Sequence, residues 1–172
     1  MIAPSMRTRA LLAGALIAAI PATAICQQDA LTSSPHPSVQ KVQTVEYLYP
    51  EQVSVPAGKT SPVALHFRIK DTLHINSHTP RAEYLIPTVF SVPEGSGVKL
   101  AAATYPPGTD FALPSDPGQK LSVYTGDFTI QAKIISTPGN HLVEASLRYQ
   151  ACNDTQCLPP RTITVPIDVI GK

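Results

Sequence analysis

The feature of this sequence that most restricts its fold is a strict alternation of apolar and polar residues along several segments. In Ser61–Lys70, every second residue from Val63 to Ile69 is large and apolar. The pattern recurs in three later segments, Asp127–Ile135, His141–Gln150 and Arg161–Ile170. Successive side chains of a β-strand point to opposite faces of its sheet, so period two is typical of a strand with one buried face. We therefore predict half-buried β-strands.

Shorter apolar segments predict four more strands, at Val42–Tyr49, Leu73–Asn76, Tyr84–Val92 and Val98–Thr104. The 18 prolines argue against long helices, because each proline lacks a backbone donor and has a fixed φ. Many short strands separated by proline and glycine turns indicate an all-β, immunoglobulin-like antiparallel β-sandwich. The chain has no tryptophan and no cysteine pair spaced to join two sheets, so the immunoglobulin cross-core disulfide is not expected.

Residues 1–24 have the features of a secretory signal: a basic start, an apolar run over residues 10–20 and small residues before Ala24. They predict a periplasmic or otherwise exported protein, cleaved near Ala24. Cys26 leaves lipid anchoring of the new N-terminus as the alternative. The remaining sequence predicts a disordered leader and one folded domain, residues 25–41 and 42–172.

Residues 105–119 contain four prolines and two glycines, and we interpret them as a long surface loop. Besides Tyr105, its sizeable apolar side chains are Phe111 and Leu113. Such a loop is long enough to lie over another part of the surface.

Cys152 and Cys157 lie between two alternating segments and are separated by four polar or turn-forming residues. This spacing predicts a late β-hairpin with a cysteine at each end of its loop, close enough to bridge. Asn153 and Asp154 suit the turn, because their side chains bond nearby backbone and tolerate left-handed dihedrals. In an exported protein such a pair is expected to form a disulfide at least part of the time.

The pair has two interpretations, a structural staple or a redox centre. Closing a loop of about six residues removes only roughly 2 kcal/mol of unfolded-chain entropy, so the position is poor for a staple. A redox centre needs an accessible sulfur and a stabilised thiolate. The Arg161 cation near Cys157 suits a thiolate, and Leu158 and Pro159 form a stiff apolar surface suited to docking of another chain.

Other chemistries have weaker support. His74 and His78 are four residues apart, which on a strand is about 13 Å and too far for one metal ion. We predict no metal and no cofactor, although a copper site that joins a cysteine to a distant histidine remains a third hypothesis. The formal net charge of +1 gives no reason to expect nucleic acid as a partner.

The segments Tyr149–Cys152 and Cys157–Pro160, followed by Thr162–Pro166, resemble the N-terminal periplasmic domain of the thiol:disulfide interchange protein DsbD. The resemblance covers roughly Val45 to Ile170. It implies an immunoglobulin-like fold and a thiol:disulfide oxidoreductase-type electron carrier.

By this resemblance, Cys157 forms the mixed disulfide with a partner and Cys152 resolves it. Tyr149 then belongs with Leu158, Pro159 and Arg161 as support for the thiolate or for docking. Residues 105–119 fall where the family has a cap loop, which gives Phe111 and Leu113 that role. One member of the family has five residues between its cysteines and adjacent aromatic residues in its cap, whereas this chain has four residues and a proline-rich segment.

The family takes reducing equivalents from a thioredoxin-like domain fed by the membrane. It passes them to periplasmic disulfide isomerases and cytochrome-maturation thioredoxins. This sequence lacks the membrane and thioredoxin-like parts, so the donor, including a membrane electron transporter, and the acceptors are expected to be separate proteins. The alternative is an exported immunoglobulin-like binding module whose hairpin disulfide is inert.

Overall fold

The computed structural model describes residues 43–48, 52–114 and 116–172. The predicted signal and leader, with Cys26, lie outside these ranges. No helix in the described ranges is long and apolar enough to cross a membrane. Twelve strands are described: β1 (Val45–Tyr47), β2 (Gln52–Val55), β3 (Thr60–Ile69), β4 (His74–Asn76), β5 (Val89–Ser91), β6 (Val98–Thr104), β7 (Thr109–Leu113), β8 (Asp116–Tyr124), β9 (Asp127–Ser136), β10 (Gly139–Tyr149), β11 (Ala151–Cys152) and β12 (Arg161–Gly171).

Two four-stranded sheets form the main body of the domain. The first has the order β1-β3-β9-β6, and the second has the order β2-β12-β10-β5. All pairs are antiparallel apart from β2, which runs parallel to β12. The long central strands β3, β9, β10 and β12 are the four segments with the strict alternation. Their period sets which side chains point inward.

The inward side chains of both sheets form one hydrophobic core. Leu65 and Ile130 from the first sheet are fully buried, as are Leu147 and Val165 from the second. Two packed sheets with a shared core make a β-sandwich. The predicted all-β, immunoglobulin-like sandwich with the cysteines on a late hairpin is therefore confirmed.

A third sheet, with the order β11-β4-β8-β7, stands at one end of the sandwich. Ile75, Tyr124 and Ala151 belong to its strands and also to the main core. The ring of Tyr124 stacks on that of Phe128 at 5.1 Å between centroids, which joins this sheet to β9. This third sheet carries Cys152, because β11 is one of its strands.

The prediction of an irregular loop over residues 105–119 was wrong, because β7 and β8 form a hairpin there. The ladder shifts register between Ala112 and Leu113. An irregularity of this kind admits a proline such as Pro117, which has no N–H to give to a regular ladder.

The predicted strand Tyr84–Val92 is shorter in the structure, where only Val89–Ser91 is extended and paired. The backbone before it bonds elsewhere: Thr88 donates its N–H to the Ser77 carbonyl, and the Asn76 amide donates to the Ile86 carbonyl. Because those groups bond to the β4 region, they are not part of the β5 ladder.

Candidate functional site

The disulfide between Cys152 and Cys157 lies just beyond the end of the β10–β12 ladder. The last pair of that ladder is Tyr149 with Arg161. The two cysteines then face each other as an isolated antiparallel bridge, with their Cα atoms 3.9 Å apart and an S–S distance of 2.10 Å. The disulfide is therefore at the tip of the hairpin, beyond the β10–β12 ladder.

The turn between the cysteines is held by its own polar groups. The Asn153 side-chain oxygen accepts hydrogen bonds from the backbone N–H groups of Thr155, at 2.9 Å, and Gln156, at 2.8 Å. The Asn153 N–H donates to the Gln156 carbonyl at 3.0 Å, and the Leu158 N–H donates to the Ala151 carbonyl at 2.8 Å. The turn role predicted for Asn153 is confirmed, and these bonds close the loop independently of the S–S bond.

The two cysteines differ in their access to solvent. Cys152 is only 2% exposed and lies on β11, the edge strand of the third sheet that pairs with β4. Cys157 is exposed on the far side of the turn. Cys157 is therefore the more accessible of the two cysteines, and Cys152 is covered.

His74 lies directly opposite Cys152 in the β4–β11 pairing. Its side chain is 2% exposed, and its Nε2 atom has no hydrogen-bond partner among the described residues. Burial lowers the pKa of His74, and the Asp154 carboxylate opposes this effect. Along the sequence His74 stands out only as a metal-ligand candidate, because the pairing of β4 with β11 arises only in the folded chain.

The Phe111 ring packs against the imidazole of His74, with 4.2 Å between ring centroids. Phe111 is half-buried on β7, and its ring lies against the residue that faces Cys152. Both Phe111 and Leu113 pack against the small cluster of Leu85, Leu121 and Val123. Of the two side chains predicted for a cap, Phe111 is the one with a ring contact to His74.

A cavity of about 370 Å³ opens beside His74. It holds charged groups of both signs, from Lys70, Asp71 and Asp154, next to the aromatic ring of Phe111. Its remaining wall comes from the turn before β4 and the turn after β8, namely Thr72, Leu73, Thr125 and Gly126. Thr72 has a φ of 69°, in the left-handed region that β-branched residues rarely adopt. Strained backbone of this kind is found preferentially at functional sites.

The residues predicted to support the thiolate or docking are placed as follows. Tyr149 is buried in the core, and its hydroxyl shares a 2.7 Å hydrogen bond with that of Thr44. Leu158 is half-buried against the main core and Pro159 is exposed. Arg161, half-buried, begins β12. A depression of about 510 Å³ next to the cysteine turn is lined by Gln43, Tyr149, Pro159, Pro160, Arg161, Thr162 and Ile163.

The described ranges contain no group of three or more His, Cys, Asp and Glu side chains placed to hold a metal ion. His78 is engaged elsewhere: its ring stacks on Tyr105 at 3.8 Å, and its Nδ1 lies 2.9 Å from the Thr88 carbonyl. The chemistry that this site offers is therefore that of its disulfide and the adjacent imidazole.

Comparison with known proteins identifies a family and a similar solved structure. The model of the family described as thiol:disulfide interchange protein DsbD, N-terminal, matches residues 44–168. The crystal structure of the Neisseria meningitidis DsbD N-terminal domain in the reduced form is similar at 17% identity, with 67% of this chain and 82% of that chain covered and a TM-score of 0.46. Comparison with curated proteins gives no match.

Proposed function

The chain belongs to the family of the N-terminal domain of the thiol:disulfide interchange protein DsbD, and on that premise we propose that it is an exported electron carrier that works through Cys157 and Cys152. Thiol–disulfide exchange is the chemistry of the family. The proposal for this chain adds the order of the two sulfurs, the direction of electron flow and the kinds of partner.

In the proposed reaction, the Cys157 thiolate attacks a disulfide of the acceptor. One acceptor sulfur leaves as a thiolate, and Cys157 stays bound to the other in a mixed disulfide. Cys152 then attacks the Cys157 sulfur, which releases the second acceptor thiolate and forms the Cys152–Cys157 bridge. Two electrons pass to the acceptor, and a thioredoxin-like donor returns two electrons by the same steps in reverse.

The observation that carries this order is the difference in burial between the two cysteines. An exchange reaction between proteins requires one sulfur to meet an incoming chain. Cys157 is exposed, whereas Cys152 is 2% exposed and lies on β11, the edge strand of the third sheet. Cys152 is therefore protected from the partner and well placed for an intramolecular attack on Cys157.

The loop hydrogen bonds also favour exchange over a stapling role. The Leu158 to Ala151 bond and the bonds to Asn153 already hold the ends of the turn together. An S–S bond added to a loop that is already closed contributes little further stability, since its effect depends on the freedom that the open loop would have. Opening this bridge is therefore expected to leave the fold intact.

The proposed partners are thioredoxin-like proteins. Pro159 and the depression beside it give an exposed surface next to Cys157 for an extended segment of the partner. As acceptors we propose periplasmic disulfide isomerases or cytochrome-maturation thioredoxins, and as the source of electrons a separate membrane electron transporter that acts through a thioredoxin-like donor. Phe111 is proposed as the cap of the idle site.

Two measurements test this function. In a Cys26→Ser background, a Cys152→Ser variant is expected to trap a thioredoxin-like protein as a mixed disulfide through Cys157, whereas Cys157→Ser, the matched control, traps none. A redox titration of the unaltered pair is expected to give a potential in the range of exchange catalysts. A potential below about −300 mV, together with failure to trap, would identify an inert structural disulfide in a binding module.

A further inference from the structure

The observation behind this inference is an unsatisfied nitrogen beside the disulfide. His74 Nε2 is buried and has no hydrogen-bond partner among the described residues. A buried polar group in this condition is costly, and native proteins keep few of them. The group across the strand pair from His74 is Cys152.

Residues that lie directly opposite in an antiparallel pair have neighbouring side chains on the same face. Cys152 as part of a disulfide has no proton to donate. Cys152 as a thiol has an S–H group that suits a bare imidazole nitrogen. A Cys152 thiol is therefore a candidate for the partner that His74 Nε2 lacks in the oxidised protein.

We propose that His74 is the general base and acid for Cys152, taking the thiol proton when Cys152 resolves the mixed disulfide and returning it when the bridge is reduced. This inference rests on the proposed exchange function. It assigns a chemical role to a residue outside the cysteine motif.

The resolving step balances as follows. The Cys152 S–H bond breaks and its proton moves to His74 Nε2, which becomes imidazolium. The Cys152 thiolate attacks Cys157, a new S–S bond forms, and the bond from Cys157 to the partner sulfur breaks. That sulfur leaves as a thiolate with the electron pair. The domain is oxidised by two electrons, the partner is reduced, and the imidazolium proton passes to water through the cavity that His74 lines.

The surroundings of His74 support both forms of the imidazole. Burial lowers the pKa of His74 and so favours the neutral form, which is the form that accepts a proton. Three charged side chains line the same cavity: Asp154 from the cysteine turn, and Lys70 and Asp71 from the segment before β4. The Asp154 carboxylate favours the imidazolium and so stabilises it once it forms.

The test follows the two steps separately with Ellman's reagent, in a Cys26→Ser background so that only the pair reacts. Reduced protein releases a first thionitrobenzoate when Cys157 attacks the reagent. It releases a second when Cys152 resolves the mixed disulfide. Stopped-flow absorbance gives the rates of the first and second release. The measurements run from about pH 5 to pH 10, a range that includes the titration of an ordinary thiol. His74→Phe keeps a ring against Phe111 and removes both nitrogens, and His78→Phe is the matched control.

We expect His74→Phe to slow the second release near pH 7 on the order of 100-fold, the usual contribution of a general base. The first release is expected to be unchanged, and His78→Phe to change neither. Above about pH 9 the rates of the variant and the parent are expected to converge, because Cys152 then ionises without help. A purely structural role for His74 would not produce this pH dependence.

Two results would overturn the inference. In the first, the first release proceeds and the second has the same rate and pH profile in His74→Phe as in the parent. This result supports the exchange function and contradicts the role of His74 as a base. If the first release does not occur, the exchange function falls and the role of His74 with it. If His74→Phe does not fold, the parent protein can be tested instead by NMR. On reduction of the disulfide, the ¹⁵Nε2 resonance of His74 is expected to shift towards that of a hydrogen-bonded acceptor. An unchanged resonance overturns the inference.

Discussion

The Phe111 ring lies over the imidazole of His74, at 4.2 Å between centroids, and His74 is in turn paired with Cys152 across two short strands. Three elements distant in sequence thus meet beside the disulfide: the β7–β8 hairpin, β4 and β11. The covered side of the disulfide is the side of Cys152, and the open side is that of Cys157. The fold therefore gives the two sulfurs unequal environments.

Removing the ring of Phe111 is expected to uncover this side. Phe111→Ala should lower the free energy of unfolding by about 1–3 kcal/mol, less than a fully buried phenylalanine would, because the ring is half-buried. It should also speed reduction of the disulfide by dithiothreitol. Leu113→Ala on the same strand is the matched control, since Leu113 packs on the same small cluster as Phe111 but has no ring to place against His74. Equal reduction rates in the two variants would argue against a cap at Phe111.

Folding stability of the oxidised protein is expected to depend on the pH through His74. Burial lowers its pKa in the folded state, whereas its unfolded value is about 6.5. Below pH 6.5 the unfolded chain therefore binds more protons than the folded one, and the free energy of unfolding falls as the pH falls towards the folded pKa. Above about pH 7 this contribution to stability is fully present.

Urea titrations at a series of pH values check this dependence. His74→Phe is expected to be less sensitive to pH between about 7 and 5 than the parent, because it has no group to protonate at that site. His78→Phe, which keeps His74, should retain the sensitivity of the parent. The same slope in all three proteins would contradict the assignment of this pH dependence to His74.

The hydroxyl of Tyr149 is expected to support the fold and not the chemistry. It shares a buried hydrogen bond with Thr44, so Tyr149→Phe should lower the free energy of unfolding by about 1 kcal/mol or somewhat more. The Cys157 reaction rate should be unchanged. A double-mutant cycle with Thr44→Val measures the coupling. A large loss of exchange rate in Tyr149→Phe, without a loss of stability, would instead favour a role in thiolate support or docking.

Gly108 is expected to be required where the chain enters β7. A Cβ atom there would lie 2.9 Å from the Ser77 Cβ and closer still to the Ser122 hydroxyl, which the fold already holds in a buried hydrogen bond with Ser77. Gly108→Ala is therefore expected to lower the free energy of unfolding by about 1–3 kcal/mol. In Gly118→Ala the new atom meets nothing nearer than 3.6 Å, so this control should unfold at nearly the same denaturant concentration as the parent. Equal losses at both positions would show that the close approach at Gly108 is relieved at no cost.

The sequence by itself determined the strands that alternate strictly. Residues 61–70, 127–135, 141–150 and 161–170 correspond to β3, β9, β10 and β12 within one or two residues at each end. A period of two fixes which side chains are buried, whatever the strand pairs with. The cysteine hairpin and the turn at Asn153 were also predictable, because both depend on residues close together in the chain.

The tertiary structure alone decided which residues surround the disulfide. Residues 105–119 were predicted as a loop because of their prolines. The β7–β8 ladder depends on pairing between two segments, which the proline content does not reveal. The sequence places His74 in the short predicted strand Leu73–Asn76, and nothing in its neighbours along the chain indicates that Cys152 lies opposite. The local sequence is enough to predict the period of a strand and the residues that form a turn. The register between short strands that are distant in the chain depends on how their side chains share a core, and that is settled only when the whole domain folds.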